Sequence, residues 1–217
     1  MPNMEKKQRR FITSVYFQDL FAIPLARFLI KHEIHPNLVT FFSFLFAIAS
    51  GVLYLYQIYW LGSFLFIVAL ILDSTDGRVA RGTNTFSDFG AKLDAWSDKA
   101  RSIFVALMFL ISLELGVFIT ILIYAHYLML PIVRPLLKKK LNFLQDPTVT
   151  FWDATIFSKW LKRHNLVGFY NGWERAVLAV AIAPLTPYPV QIFVLAVFLE
   201  QIIYVIGVIL NLRDRRG

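Results

Sequence analysis

The chain alternates long apolar runs with short polar turns. A helix that spans a bilayer needs about 20 predominantly apolar residues, and runs of this kind fall at 38–58, 117–133, 166–185 and 188–210. A further run covers 102–115 and has a polar extension back to Gly90. One more is apolar from Trp60 to Leu72 and then meets Asp73. That stretch is only about 20 Å long at 1.5 Å per residue, so a spanning helix there carries charge in its last two turns. Charges at membrane depth are tolerated where they face a bundle interior or a watery cavity. The pattern predicts six helices, the second and third polar at the ends that face each other.

Two polar segments interrupt the apolar pattern, one before the first span and one between the fourth and fifth. Phe11–Lys31 mixes Phe11, Ile12, Val15, Phe17, Leu20, Phe21, Leu25 and Phe28 with Gln18, Asp19, Arg27 and Lys31, and Pro24 interrupts it. Its polar residues and the lack of a small-residue cleavage site argue against a signal peptide; an amphipathic helix in the interface fits. Residues 135–165 carry Lys138–Lys140, Asp146, Pro147, Asp153, Lys159, Lys162 and Arg163, the mark of a surface connector with a short helix. The expected division is an N-terminal segment at 1–36, a six-helix membrane domain at 37–212 and a basic tail at 213–217.

Composition agrees. Hydrophobic residues make up 58% and charged ones 17%, against about 45–50% and 25% in soluble domains, and mean hydropathy is +0.60. The fold class read from the sequence is all-α and polytopic in the membrane. With no cysteine in 217 residues, disulfides, thiolate metal sites and cysteine nucleophiles are excluded. All 22 Lys and Arg lie up to Lys31, in 78–101, in 134–175, or at Arg213, Arg215 and Arg216. The turns near 57–61, 112–116 and 184–190 hold none, so the positive-inside rule puts them outside and both termini in the cytoplasm. The net charge of +8 reads as attraction to anionic headgroups and phosphorylated substrates. Nucleic acid is not the expected partner, because the basic residues border membrane helices.

Asp73 and Asp76 lie one helical turn apart, as do Asp94 and Asp98, and the short link at 82–89 makes their helices antiparallel neighbours. An unpaired Asp at the bilayer centre costs about 2.5–3.5 kcal/mol on insertion scales, so four demand something cationic. Arg78, Arg81, Lys92 and Lys99 are at hand, and a structural salt-bridge cluster is the plainer reading. All-oxygen ligands with no His or Cys nearby suit Mg²⁺ or Mn²⁺. Two such cations sharing carboxylates suit in-line attack at phosphorus. Gly77 and Ala80, on the stripe of the first pair, and Gly90, on that of the second, leave room for a ligand.

These residues carry a resemblance. Asp73-x2-Asp76-Gly77-x2-Ala80-Arg81-x8-Gly90-x3-Asp94-x3-Asp98 matches the CDP-alcohol phosphotransferase signature at every defined position, and the six-helix layout resembles that family too. The resemblance implies that Asp73, Asp76, Asp94 and Asp98 hold two divalent cations, with Asp98 also the general base on the acceptor hydroxyl. It implies that Asp73, Gly77, Ala80, Arg81 and Gly90 line the CDP site. Asn37 and Thr40, after Pro36, stand where many members have a similar Pro-Asn-x-x-Thr run, although helix capping explains them equally. The implied reaction is attack by an alcohol on the phosphorus bearing the donor alcohol of a CDP-alcohol such as CDP-diacylglycerol, with release of CMP. The resemblance also implies a homodimer.

The acceptor that the resemblance implies is a small polar alcohol. Arg134 ends the fourth span and Glu174-Arg175 begins the fifth, resembling members that take inositol phosphate, while Lys99 after Asp98 resembles members that take glycerol 3-phosphate. Snorkelling to the headgroups is the alternative for all three basic residues. His126 reads as a packed polar residue, and Glu200 is a buried carboxylate whose partner the sequence does not name. Two other functions share parts of this pattern. Membrane prenyltransferases also use aspartate-rich helices, but with motifs far apart. Ion-coupled transporters show repeats or matched broken helices, whereas all four aspartates here cluster in one quarter of the chain.

Overall fold

The computed structural model describes residues 11–12, 16, 18–85, 88–141, 143, 145–170 and 172–214. The chain forms α1 (Asp19–Lys31), α2 (Pro36–Leu55), α3 (Tyr59–Gly82), α4 (Asp88–Ser112), α5 (Val117–Leu141), α6 (Pro147–Asp153), α7 (Ser158–Arg163), α8 (Gly172–Ala176) and α9 (Pro189–Asp214). This is an all-α integral membrane protein. Among the described residues, α2, α3, Val117–Leu137 of α5 and Pro189–Arg213 of α9 are long and apolar enough to cross a bilayer, and α4 adds the shorter apolar stretch Ala100–Ser112. Large apolar side chains point outward along these helices, including Phe41 and Leu45 of α2, Phe118 and Ile121 of α5, and Leu195 and Ile209 of α9. Such faces suit lipid, not water.

The run at 166–185 departs from the expected single span. It is α8 followed by a π-helical stretch, Val177–Ile182, and a 3₁₀ turn, Ala183–Leu185. Pro184 has no N–H to give the Val180 carbonyl four residues back, and the Tyr54 hydroxyl donates to that carbonyl instead. The other departure is Pro24. It does not interrupt α1, which runs through it to Lys31; the rest of the expected Phe11–Lys31 helix falls partly outside the described residues.

Close packing of α2 on α3 sets the bundle. Ser43 and Ser50 of α2 donate to the carbonyls of Ala69 (2.8 Å) and Gly62 (2.7 Å) on α3. A side chain at Gly62 would come within 2.6 Å of the Tyr54 ring. The core then runs ring to ring, from Tyr54 to Phe109 of α4 (5.5 Å), to Phe193 of α9 (6.0 Å), to Tyr127 of α5 (5.4 Å). Over one end of the bundle α1 packs on α3, fixed by the ion pair of Asp19 with Arg78.

Candidate active site

The polar ends of α3 and α4 meet where the hydrophobic pattern placed them. Arg101 of α4 is buried and binds Asp73 of α3 (2.7 Å) and Asp98 one turn back on α4 (2.5 Å), while its other nitrogen donates to Ser43 of α2 (2.6 Å). One guanidinium thus ties three helices to two of the four aspartates. Asp76 is 3% exposed, and Thr40 of α2 donates to it at 2.5 Å. Thr40 therefore belongs to the aspartate cluster. Asn37, one turn earlier, is exposed at the start of α2. The helix cap there is His35, whose Nδ1 accepts from the Asn37 N–H at 3.2 Å.

Along α3, the exposed Arg81 guanidinium lies back over Gly77: a Cβ on that glycine would stand 3.5 Å from it. Ala80 is half-buried between them on the same end of the helix. The backbone of Gly90, Asp94 and Lys99 lies in α4, but their side chains are outside the described residues. No group of three His, Cys, Asp or Glu close enough to hold a metal occurs among the described residues. The donor chemistry present nonetheless fits a hard cation. Asp73, Asp76 and Asp98 offer carboxylate oxygens only, and their neighbours Thr40 and Ser43 add oxygen rather than nitrogen or sulfur.

Asp98 faces a cavity of about 570 Å³, within the roughly 300–1,000 Å³ of small-molecule sites. From Asp98 and Ser102 on α4 it extends past Tyr127, Leu130 and Arg134 on α5 to Gly172, Arg175, Glu200 and Tyr204, and Phe143, Gln145, Asp146 and Pro147 of the connector close one side. Glu200, partnerless in sequence, sits between the two arginines: Arg175 Nε at 2.9 Å and Arg134 at 3.3 Å. Arg134 also donates to Thr148 (3.0 Å) and stacks over Tyr204, and Arg175 donates to the Tyr127 carbonyl (3.3 Å) and stacks over its ring. The buried Arg134 Nε and Tyr204 hydroxyl have no hydrogen-bond partner among the described residues. The Tyr170 hydroxyl donates to the Ala196 carbonyl of α9 at 2.7 Å.

Sequence reading missed the Arg134–Glu200–Arg175 triad. A signal was present: a lone carboxylate in an apolar span needs a cation at its own depth, and those two arginines end and begin neighbouring spans. His126 packs against α9, its carbonyl accepting from Gln201 at 3.0 Å.

The family model described as CDP-alcohol phosphatidyltransferase matches residues 33–213. A curated protein of Aquifex aeolicus (strain VF5), described as uncharacterized, is 38% identical over 85 residues; the aligned stretch is 39% of this chain and spans 42% of that relative's length. The fold is similar to the crystal structure of Mycobacterium tuberculosis phosphatidylinositol phosphate synthase with CDP-DAG bound. That match has a TM-score of 0.56 at 18% identity and covers 89% of this chain and 91% of that one.

Proposed function

Because the chain belongs to the CDP-alcohol phosphatidyltransferase family, we propose that it transfers a phosphatidyl group from CDP-diacylglycerol to the hydroxyl of a small phosphorylated alcohol, releasing CMP. The observation that carries this reading is the cavity joining Asp98 to Arg134 and Arg175. Asp98 is half-exposed to that cavity while Asp73 and Asp76 stay recessed, so Asp98 is the carboxylate an incoming hydroxyl meets. It accepts the hydroxyl proton as the oxygen attacks phosphorus. The new O–P bond forms as the P–O bond to CMP breaks, and CMP leaves with its oxygen anionic. Asp73, Asp76, Asp94 and Asp98 would hold two divalent cations, Mg²⁺ or Mn²⁺, which would neutralise charge on the donor pyrophosphate. Arg81, beside the open backbone at Gly77, adds a cation on the same helix end, and Thr40 orients Asp76.

Glu200 fixes both guanidinium groups and cancels one of their two charges. Asp146 on the same wall offsets the other, so the site meets an acceptor phosphate, such as that of inositol phosphate or glycerol 3-phosphate, with hydrogen-bond donors: the unpartnered Nε–H of Arg134 and the Tyr204 hydroxyl. The basic flank of the bundle would then face the cytoplasm, with both termini there. In line with the family, the working unit is a homodimer.

Acceptor kinetics test the reading. A charge-assisted hydrogen bond is worth about 1.5–3 kcal/mol, so Arg134→Gln should raise the acceptor KM about tenfold or more and leave the donor KM near its original value. Arg134→Lys should recover part of the loss. Full activity with an unphosphorylated alcohol, or an unchanged acceptor KM in Arg134→Gln, would contradict the phosphorylated-acceptor assignment.

A further inference from the structure

The connector between α5 and α8 holds a surface that the transfer reaction does not use. Ile156 is 91% exposed, and Phe157, Trp160 and Phe169 are each about half-exposed beside it. Phe169 gathers the two other rings, with Trp160 stacked on it at 6.3 Å and Phe157 edge-on at 5.7 Å. Lys159 and Arg163 are exposed on the same short helix, α7, whose opposite side buries Leu161. An apolar edge rimmed by basic side chains fits a lipid–water boundary.

Two contacts set the level of α6, the helix that leads into this edge. Pro147 packs directly on Gly207 of α9, where an added Cβ would come within 1.8 Å of the proline carbonyl oxygen, and Asn211 donates to Thr150 at 2.7 Å. Gly207 and Asn211 lie roughly 9 and 3 Å below the level of Arg213, at 1.5 Å per residue. The hydrocarbon boundary lies roughly 5–8 Å beneath the outer edge of the headgroups. These contacts hold α6 within roughly 9 Å of the Arg213 level, and beside the aromatic edge the Gly168 carbonyl accepts from the Ile12 N–H of the N-terminal segment at 3.1 Å.

We propose that this connector is a membrane-surface anchor, with Ile156, Phe157, Trp160 and Phe169 seated at the acyl boundary and Lys159 and Arg163 on anionic lipid headgroups. The same segment supplies Asp146 and Pro147 to the cavity wall and Thr148 to Arg134. Anchoring it fixes the cavity mouth where a lipid-borne donor and a water-borne acceptor meet. The inference is independent of which alcohol accepts.

Because the chain has no cysteine, Ile156→Cys and Lys162→Cys each give one labelling site, both at exposed positions. The full-length protein in nanodiscs of zwitterionic or mixed anionic lipid would carry an environment-sensitive fluorophore at either site. The expected result is strong quenching of the 156 label by lipids bearing a nitroxide near the headgroup, protection of it from aqueous iodide, and the reverse at 162. Adding anionic lipid should strengthen the lipid quenching at 156, and this gain should vanish when Lys159→Gln and Arg163→Gln are combined. A 156 label as open to iodide as the 162 label would overturn the proposal. So would a label shielded from both quenchers, which would mean that a protein covers the edge, or a response to anionic lipid that the double substitution leaves unchanged.

Discussion

At the scale of single residues, the four aspartates are not equivalent. Asp73 and Asp98 share Arg101, but only Asp98 opens onto the cavity. In the reacting complex the cavity-facing carboxylate is the one placed to accept the proton of the attacking alcohol. Asp98→Asn should therefore retain CDP-alcohol binding while kcat falls by a factor on the order of 10², the scale of general-base loss. Donor affinity measured beside single-turnover rates checks this, and loss of donor binding as complete as in Asp73→Asn would make Asp98 chiefly a metal ligand. Glu200 gives a second expectation. Removing one partner of a buried ion pair costs about 3–5 kcal/mol, and here two guanidinium groups are left facing each other. Glu200→Gln should markedly lower the unfolding midpoint in detergent; an unchanged midpoint would mean that the arginines find solvent or lipid phosphate instead.

At the scale of elements, the apolar runs located α2, α3, α5 and α9 because burial in lipid needs little beyond length and hydrophobicity. The aspartate-bearing ends of α3 and α4 were equally legible, since spacing of three and four residues is a helical property. What the sequence hid depends on contacts distant in the chain. The π-helical stretch in 166–185 is set by Pro184 together with a hydroxyl from Tyr54, and hydrophobic periodicity does not distinguish i→i+4 from i→i+5 bonding. The pairing of Glu200 required knowing which faces of α5, α8 and α9 meet. The docking of α6 on α9 was hidden for the same reason, and it yields a prediction. Gly207→Ala forces Pro147 away from α9, which moves Thr148 off Arg134. The acceptor KM should rise while the donor KM holds; equal changes in both would mean that the bundle as a whole had loosened.

At the scale of the whole molecule, one end of the bundle collects the chemistry. α1 clamps α3 through Asp19 and Arg78, α2 brings Thr40 and Ser43 to the aspartates, and the connector closes the cavity beside Arg134. The opposite end holds no Lys or Arg in its turns near 57–61, 112–116 and 184–190. If carboxylate-held cations neutralise the donor pyrophosphate, chelation should abolish turnover and leave the helical content unchanged, with Mg²⁺ or Mn²⁺ restoring activity; turnover that persists in excess chelator would favour the salt-bridge reading of the cluster. The most direct test of the account as a whole is CMP release from CDP-diacylglycerol by the purified protein in nanodiscs, measured with and without a phosphorylated alcohol and compared with Asp73→Asn. The account predicts release that requires both the acceptor and a divalent cation and that is lost in a normally folded Asp73→Asn protein. Undiminished release by Asp73→Asn, or none by the unaltered protein with any alcohol, would contradict it.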